Sequence, residues 1–181
     1  MVGCVADLLT KHWIFQWLGM PWQHDNRWWI WEGYVGIETV LNRGALFGAG
    51  EGYSAWFAAL SIAAAAGILL WLFRFGAAHD LLLTIALACV MAGICGNLYD
   101  RLGLWDNAGV PEKYQCAVRD WILLRYKQHS WPNFNIADCF LVCGAGLLMW
   151  QGFFRSEPRA RCREPETDAP SAEQGRRRTM A

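Results

Sequence analysis

Hydrophobic residues fall in long uninterrupted runs, separated by two polar stretches. The runs 53–73 and 81–99 contain no charged residue. At about 1.5 Å per residue, each is long enough to cross about 30 Å of hydrocarbon. The run 136–154 has the same character except for Asp138. The pattern therefore predicts three transmembrane helices, one of which carries a carboxylate.

The amino-terminal segment, residues 1–20, is a weaker candidate for a fourth helix because it contains Asp7, Lys11 and His12. We hypothesise that this helix starts late, through a misassigned start codon or a trimmed chain. It is not a typical secretory signal, since no basic region precedes an apolar core and no small-residue cleavage site follows. Asp7 and Lys11, at i and i+4, are interpreted as a helix-stabilising pair.

Residues 155–181 form a polar tail rich in Pro, Glu, Ser and Arg. This composition predicts disorder. The arginines place the tail in the cytoplasm by the positive-inside rule, and an even number of spans then places the amino terminus there too. Residues 1–154 are thus expected to form one membrane-embedded domain, with helices at about 1–20, 53–73, 81–99 and 136–154.

The polar stretches 21–52 and 101–133 fall on the opposite, extracytoplasmic side. Residues 34–41 are rich in β-branched side chains and partly alternate, and a glycine-punctuated stretch, 42–48, follows. This pattern predicts a small sheet on the membrane surface. Residues 117–126 fit either a strand or an interfacial helix, because periodicity does not decide between them. The predicted fold class is a mainly α membrane protein, a four-transmembrane-helix bundle with a small extracytoplasmic β-sheet.

Composition narrows the possible functions. The twelve tryptophans lie mainly near the ends of the apolar runs, as in interfacial belts. Formal net charge is zero, which does not suggest a nucleic-acid surface. The seven cysteines form no Cys-x-x-Cys pair and are interpreted as small hydrophobic residues. The four histidines lack metal-ligand spacing, so we expect no metal, and no serine–histidine motif is present.

Acidic residues near one membrane interface are the candidates for chemistry. Asn97 and Asp100 close the third apolar run, while Asn135 and Asp138 open the fourth, so each pair shares one helical face. Asp120 adds a third carboxylate on that side. Two neighbouring carboxylates cannot both ionise cheaply, so one can act as an acid while the other acts as a base. Spacing alone favours pairing Asp100 with Asp138.

Other interpretations remain open from the residues alone. Asp100, beside Arg101, fits a structural ion pair, and Asp120 fits a solvated loop acid. Asp138 fits the proton site of a small membrane carrier or channel. The stretch 42–44 fits a simple turn between strands. A non-catalytic membrane scaffold is a further alternative, but it leaves the clustered acids unexplained.

Five short motifs follow one another along the chain, namely Asp7-Leu8-Leu9-Thr10-Lys11, the stretch 42–48, the stretch 93–101, Val118-Arg119-Asp120-Trp121 and Phe134-Asn135-Ile136-Ala137-Asp138. Each motif is weak alone. In this order, on this hydropathy profile, they resemble the lipoprotein signal peptidase (signal peptidase II) family over residues 7 to about 154.

The resemblance implies four transmembrane helices with a periplasm-facing β-cradle. It implies an aspartyl endopeptidase that cuts diacylglyceryl-modified prolipoproteins before the lipidated cysteine, without a cofactor. The catalytic dyad it implies is Asp120 with Asp138, in place of the pair that spacing favours. Supporting or substrate-binding roles carry over to Asp7, Asn42, Gly44, Asn97, Asp100, Arg101 and Asn135.

The same resemblance implies a protein of the bacterial inner membrane with prolipoproteins and membrane lipids as partners. We expect a monomer, and the zero net charge indicates no nucleic-acid partner. The chain departs from the family pattern at several positions. Leu8 stands where glutamine is usual, Ala92 where a first glycine is typical, and Arg119 where a second apolar residue is common. The loop 102–116 looks longer than usual.

Overall fold

The structure is a computed structural model that describes residues 2–23, 25–44 and 50–154. Its elements follow in the order α1 (Val2–Leu18), β1 (Arg27–Trp31), β2 (Val35–Asn42), α2 (Ser54–Arg74), α3 (Leu81–Arg101), β3 (Val118–Tyr126), β4 (His129–Ser130) and α4 (Ile136–Phe154). Short 3-10 turns lie at Ala77–His79 and Glu112–Tyr114. The predicted tail 155–181 and residues 45–48 of the glycine-punctuated stretch lie outside the described residues.

Helices α2, α3 and α4 coincide with the three apolar runs, and α1 lies in the amino-terminal segment. Three of them, α2, α3 and α4, are long and apolar enough to cross a membrane. Large hydrophobic side chains of α2 are exposed, among them Trp56, Leu60 and Phe73, as expected for a surface that faces lipid. Helix α1 has 17 residues and is not among these three spans.

Helices α1, α3 and α4 approach one another closely at two glycines of α3. A Cβ atom on Gly93 would overlap the carbonyl oxygen of Ala137 in α4. A Cβ on Gly96 would lie 2.5 Å from the Asp7 Oδ2 atom of α1. Small residues at helix interfaces allow such close contact in membrane bundles. These glycines therefore bring Asp7 next to the first turn of α4.

The four strands form one antiparallel sheet in the order β1-β2-β3-β4. Val118–Tyr126 is thus a strand, and the open choice between strand and interfacial helix is settled. Asp120 pairs with Val40 of β2 inside this strand, so its interpretation as a solvated loop acid is wrong. Strand β1 was not predicted, because its three tryptophans are as typical of a membrane interface as of a strand.

Strand β3 is joined directly to the start of α4. The backbone N–H groups of Trp121 and Ile122 donate to the Phe134 carbonyl oxygen at 3.0 and 2.8 Å, and Ile122 forms a β-bridge with Phe134. Since α4 begins two residues after Phe134, the sheet and the last helix meet at one place. This junction brings Asp120 and Asp138 to the same region.

The loop 102–116 is packed against the sheet and not extended into solvent. Its residues Trp105 and Val110 are buried together with Phe15, Leu41 and Ala117. Asn107 donates to the carbonyl oxygens of residues 103 and 115 at 3.2 and 3.3 Å and so closes the loop on itself. Trp105 is only 6% exposed, so it does not belong to the predicted interfacial belt.

Candidate active site

Helix α4 begins with a reciprocal cap made by Asn135 and Asp138. The Asp138 backbone N–H donates to Asn135 Oδ1 at 3.0 Å, and the Asn135 backbone N–H donates to Asp138 Oδ2 at 3.1 Å. This is the arrangement of a capping box, in which residues three apart satisfy each other's free backbone donors. The cap holds the Asp138 carboxylate at the helix start.

Asn97 of α3 fixes the other oxygen of the same carboxylate. Its Nδ2 group donates to Asp138 Oδ1 at 2.8 Å. Its Oδ1 atom accepts from Asn135 Nδ2 at 3.1 Å. The amide and carboxylate spacing on both helices thus produces one continuous network between α3 and α4.

Asp120 enters this network from the sheet. Its Oδ1 accepts from Asn135 Nδ2 at 2.6 Å, and its Oδ2 accepts from Asn42 Nδ2 at 3.0 Å. The Gly44 backbone N–H donates to Asn42 Oδ1 at 3.0 Å, which orients the Asn42 amide toward the acid. Asn135 therefore contacts both acids, and Asp120 is 2% exposed.

Burial makes ionisation of Asp120 costly. It raises the pKa of this carboxyl to about 7, and the nearby Asp138 charge adds to the increase, while hydrogen bonds from Asn42 and Asn135 oppose it. Near neutral pH this side chain therefore exists in both protonation states. One acid that holds a proton beside one that accepts is the requirement for paired acid–base chemistry.

The raised pKa predicts a pH-dependent stability difference between the parent and Asp120→Asn. An acid with a raised folded pKa loses its stabilising contribution as pH rises from its unfolded pKa through its folded one. Between about pH 4 and pH 8 the stability of the variant should improve relative to the parent by about 4 kcal/mol. Thermal unfolding in detergent at a series of pH values measures this difference.

Asp106→Asn is the matched control for this experiment, because Asp106 is an exposed acid of the loop 102–116. A difference between parent and Asp120→Asn that stays constant from pH 4 to pH 8 would contradict the raised pKa. If the stability of Asp106→Asn relative to the parent changed with pH as much as that of Asp120→Asn, the effect would come from loss of any carboxylate and not from Asp120 in particular.

A fully buried lysine of α1 lies beside the network that holds Asp120 and Asp138. Lys11 Nζ is 2.7 Å from Asp7 Oδ2 and 3.1 Å from Asp100 Oδ2, and it donates to Asn97 Oδ1 at 3.0 Å. Asp7 Oδ1 also accepts the Ala137 backbone N–H of α4 at 2.9 Å. The Asp7–Lys11 pair is thus more than an intrahelical contact, because it joins three helices.

Asp100 is bound by Arg119 and Lys11. It accepts three hydrogen bonds from Arg119 of β3, through the backbone N–H, Nε and Nη2 at 3.0, 3.0 and 2.7 Å. The prediction from spacing alone, that Asp100 pairs with Asp138, is therefore wrong. Each acid follows an asparagine by three residues, but this spacing does not determine which neighbouring side chain each acid contacts.

A cleft of about 370 Å³ opens at Asp120, and its lining also includes Asn42, Gly44, Tyr114 and Asn133. Arg101 lies nearby, where its Nη2 group donates to the Gly44 carbonyl oxygen at 3.1 Å. Its Nη1 atom is buried without a hydrogen-bond partner among the described residues. The site thus combines an accessible cleft, two acids and a spare cationic donor.

Within residues 2–23, 25–44 and 50–154, no three His, Cys, Asp or Glu side chains are grouped so that they could hold a metal ion. The six cysteines of these ranges are free thiols. His24 and Cys162 lie outside the described residues.

Of the site residues named from the sequence, all nine are in the described part of the chain and contribute to this region. Two further residues, Lys11 and Arg119, were not among them. The signal for both was available, since a charged side chain amid apolar or β-branched neighbours needs a buried partner. The sequence did not identify that partner. One partner of Lys11 is Asn97, which lies 86 residues away along the chain.

Comparison with known proteins was consistent across sequence and structure. A family model for signal peptidase (SPase) II matches residues 1–154. A lipoprotein signal peptidase of Rhodopirellula baltica is 53% identical over 154 residues, which are 84% of this chain and 69% of that protein. Another from Ectopseudomonas mendocina is 35% identical over 163 residues, covering 87% and 86% of the two chains.

Among solved structures, a bacterial membrane enzyme determined by the in meso method at 2.3 Å resolution has the same fold. It superposes with a TM-score of 0.67 and 22% sequence identity, over 86% of this chain and 88% of that one. A second such structure, at 1.9 Å resolution, superposes with a TM-score of 0.66.

Proposed function

The chain belongs to the signal peptidase II family, and we propose that Asp120 and Asp138 are the catalytic dyad with which it cleaves diacylglyceryl-modified prolipoproteins. The observation that carries this assignment is the position of Asn135. Its side chain donates to Asp120 at 2.6 Å and also caps the helix turn that carries Asp138. A single amide therefore holds both acids, as paired acid–base chemistry requires, and Asp120 lines the cleft.

In the proposed reaction, Asp138 is the base and Asp120 the acid. Asp138 accepts N–H donors on both carboxylate oxygens, which orients the carboxylate as a base. The pKa of Asp120 is raised to about 7, so this acid holds a proton in a large fraction of molecules near neutral pH. The proposed active form carries one proton between the two acids.

The atoms balance over two steps. Asp138 takes a proton from water, the resulting hydroxide attacks the carbonyl carbon before the lipidated cysteine, and Asp120 protonates the carbonyl oxygen. The tetrahedral species then collapses, and its carbon–nitrogen bond breaks. Asp138 gives its proton to the leaving amine as Asp120 regains one from the hydroxyl oxygen, so both acids return to their starting states.

Substrate would reach this cleft sideways from the bilayer. The exposed apolar faces of α2 and α4 allow the two acyl chains to stay in hydrocarbon while the peptide bond enters between sheet and helices. The unpartnered Nη1 group of Arg101 is suited to donate a hydrogen bond to a backbone carbonyl oxygen of the substrate. Asn42 and Gly44 would line the same entry, since both border the cleft.

The proposed topology has four spans, with α1 as the fourth. Its 17 residues extend about 26 Å, close to the hydrocarbon thickness. The sheet would then lie on the extracytoplasmic side, opposite Arg74 at the end of α2, with both termini in the cytoplasm of a bacterial cell. We propose that the protein acts as a monomer, because all the groups of the site come from one chain.

The function is tested by cleavage of a purified prolipoprotein carrying the diacylglyceryl group, with an unlipidated copy of the same substrate in parallel. We expect the detergent-solubilised protein to cut only the lipidated form, immediately before the modified cysteine. Mass spectrometry of both products identifies the bond. Equal cleavage of the two substrates would contradict lipid recognition, and ion-dependent flux without cleavage would favour the carrier alternative.

A further inference from the structure

Strand β3 carries a charged residue immediately before the proposed acid. We propose that Arg119 is a positioning residue for the reaction, which holds the Asp120 carboxyl in place through an ion pair between β3 and α3. This inference rests on the proposed dyad. It extends the site beyond the residues that the family resemblance implies, because that resemblance predicts an apolar side chain at this position.

Arg119 binds both carboxylate oxygens of Asp100. The Arg119 side chain donates twice to Asp100 Oδ1, and its backbone N–H donates to Asp100 Oδ2 at 3.0 Å. Arg119 is 4% exposed and Asp100 is fully buried. The two guanidinium N–H groups converge on one carboxylate oxygen while the backbone N–H binds the other, so both the side chain and the backbone of Arg119 are held by Asp100. The backbone of β3 is therefore clamped to α3 one residue before Asp120.

The loop 102–116 covers the other side of the guanidinium. Arg119 Cζ lies 5.1 Å from the centre of the Trp105 ring, within the range of a cation–π contact. Trp105 is itself buried with Leu41 and Ala117. The ion pair is thus shielded from water, which strengthens it. We therefore infer that the loop 102–116, which looks longer than is usual in the family, serves to shield this ion pair.

Charge balance gives Arg119 a second effect on the acids. Behind the dyad lie two buried anions, Asp7 and Asp100, and two buried cations, Lys11 and Arg119. Removal of the guanidinium leaves one uncompensated negative charge beside the dyad. An added negative charge favours protonation of neighbouring carboxyls, so the pH dependence of cleavage should move.

The first variant is Arg119→Val, which installs an apolar β-branched residue suited to a strand. We expect kcat to fall by about 10- to 100-fold, because a misplaced acid forfeits the alignment on which the rate depends. KM should stay within about twofold, since the residue does not line the cleft. Both limbs of the pH–rate profile should shift upward by about half a unit.

The second variant, Arg119→Lys, separates charge from geometry. Lysine keeps the positive charge but lacks the planar fork that binds Asp100 twice. It should return the pH profile to that of the parent while kcat recovers only in part. The pH profile reports on all the charged groups that surround Asp120, namely Lys11 of α1, Asp100 and Arg101 of α3, Arg119 of β3 and Asp138 of α4.

Arg125→Val is the matched control, since Arg125 lies at the other end of the same strand. It should leave kcat and the pH profile close to those of the parent. Trp105→Phe, which keeps an aromatic face, should lower kcat less than Trp105→Ala. All variants are compared at equal folded fraction, measured by size-exclusion elution and thermal unfolding.

The outcomes separate this inference from the dyad assignment. If Asp120→Asn is inactive while Arg119→Val keeps both kcat and pH profile, the positioning role is wrong and the dyad stands. If Asp120→Asn cleaves at the parental rate, the dyad itself is wrong. A drop in kcat for Arg119→Val that tracks only its folded fraction, with no shift in pH profile, would also overturn the inference.

Discussion

Replacement of Asp138 by asparagine is expected to lower the rate of prolipoprotein cleavage by about 1000-fold or more. An asparagine cannot take a proton from water, so the base of the reaction is lost, and general acid–base groups contribute up to about 10⁴-fold each. Asp120→Asn should be equally damaging because it removes the acid. Single-turnover cleavage of the lipidated substrate measures both effects without interference from product release.

The double variant, Asp120→Asn with Asp138→Asn, should be scarcely slower than either single one, since two residues that act as a unit do not add. The exposed Asp106→Asn variant should cleave at the parental rate. Substantial cleavage by both single variants, at parental folded fraction, would remove Asp120 and Asp138 from the mechanism.

Replacement of Lys11 by methionine is expected to cause the largest loss of stability among substitutions at the site. Methionine matches the aliphatic stem of the side chain but leaves Asp7 and Asp100 buried without their shared cation. Loss of one partner from a buried ion pair costs about 3 to 5 kcal/mol. Thermal unfolding of the detergent-solubilised protein measures this loss.

The exposed Lys113→Met variant is the control for removal of a lysine, and it should unfold close to the parent. A second test adds Asp7→Asn to Lys11→Met. This change removes one of the uncompensated charges but keeps an oxygen for the Ala137 N–H, so it should restore about half of the lost stability. No recovery would mean that Lys11 acts through packing and not through charge.

These two predictions concern different parts of one connected network. Lys11 donates to Asn97, Asn97 donates to Asp138, and Asn135 joins Asn97 to Asp120. A network of this kind tolerates a missing partner poorly, because each buried polar group left unpaired costs free energy. Stability and catalysis are therefore expected to be linked at Lys11 and separable at the dyad.

Much of the architecture was readable from local patterns. The apolar runs identified α2, α3 and α4, since hydropathy depends only on composition along the chain. The β-branched stretch at 34–41 indicated the sheet. The amide and acid at 135 and 138 form a capping box, which is a local interaction and leaves a local signature. The assignment of Asp120 to the dyad came instead from the family resemblance.

Other features depended on distant parts of the chain. Strand β1 was missed because tryptophan suits both a strand and a membrane interface. The pairing of Asp100 was predicted wrongly, since its partner Arg119 reaches it only after β3 folds back over α3. Arg119 itself was noted only as a departure from the family pattern.

The sequence by itself determined which segments are apolar enough for a membrane, where a sheet is favoured and which acids merit attention. Those properties follow from the side chains of neighbouring residues. Only the tertiary structure decided that Asn135 contacts Asp120, that Lys11 stands between Asp7 and Asp100, and that Trp105 covers the clamp. Such contacts depend on how helices and strands pack, because a buried charge or amide is satisfied by whichever group the fold brings within hydrogen-bonding distance.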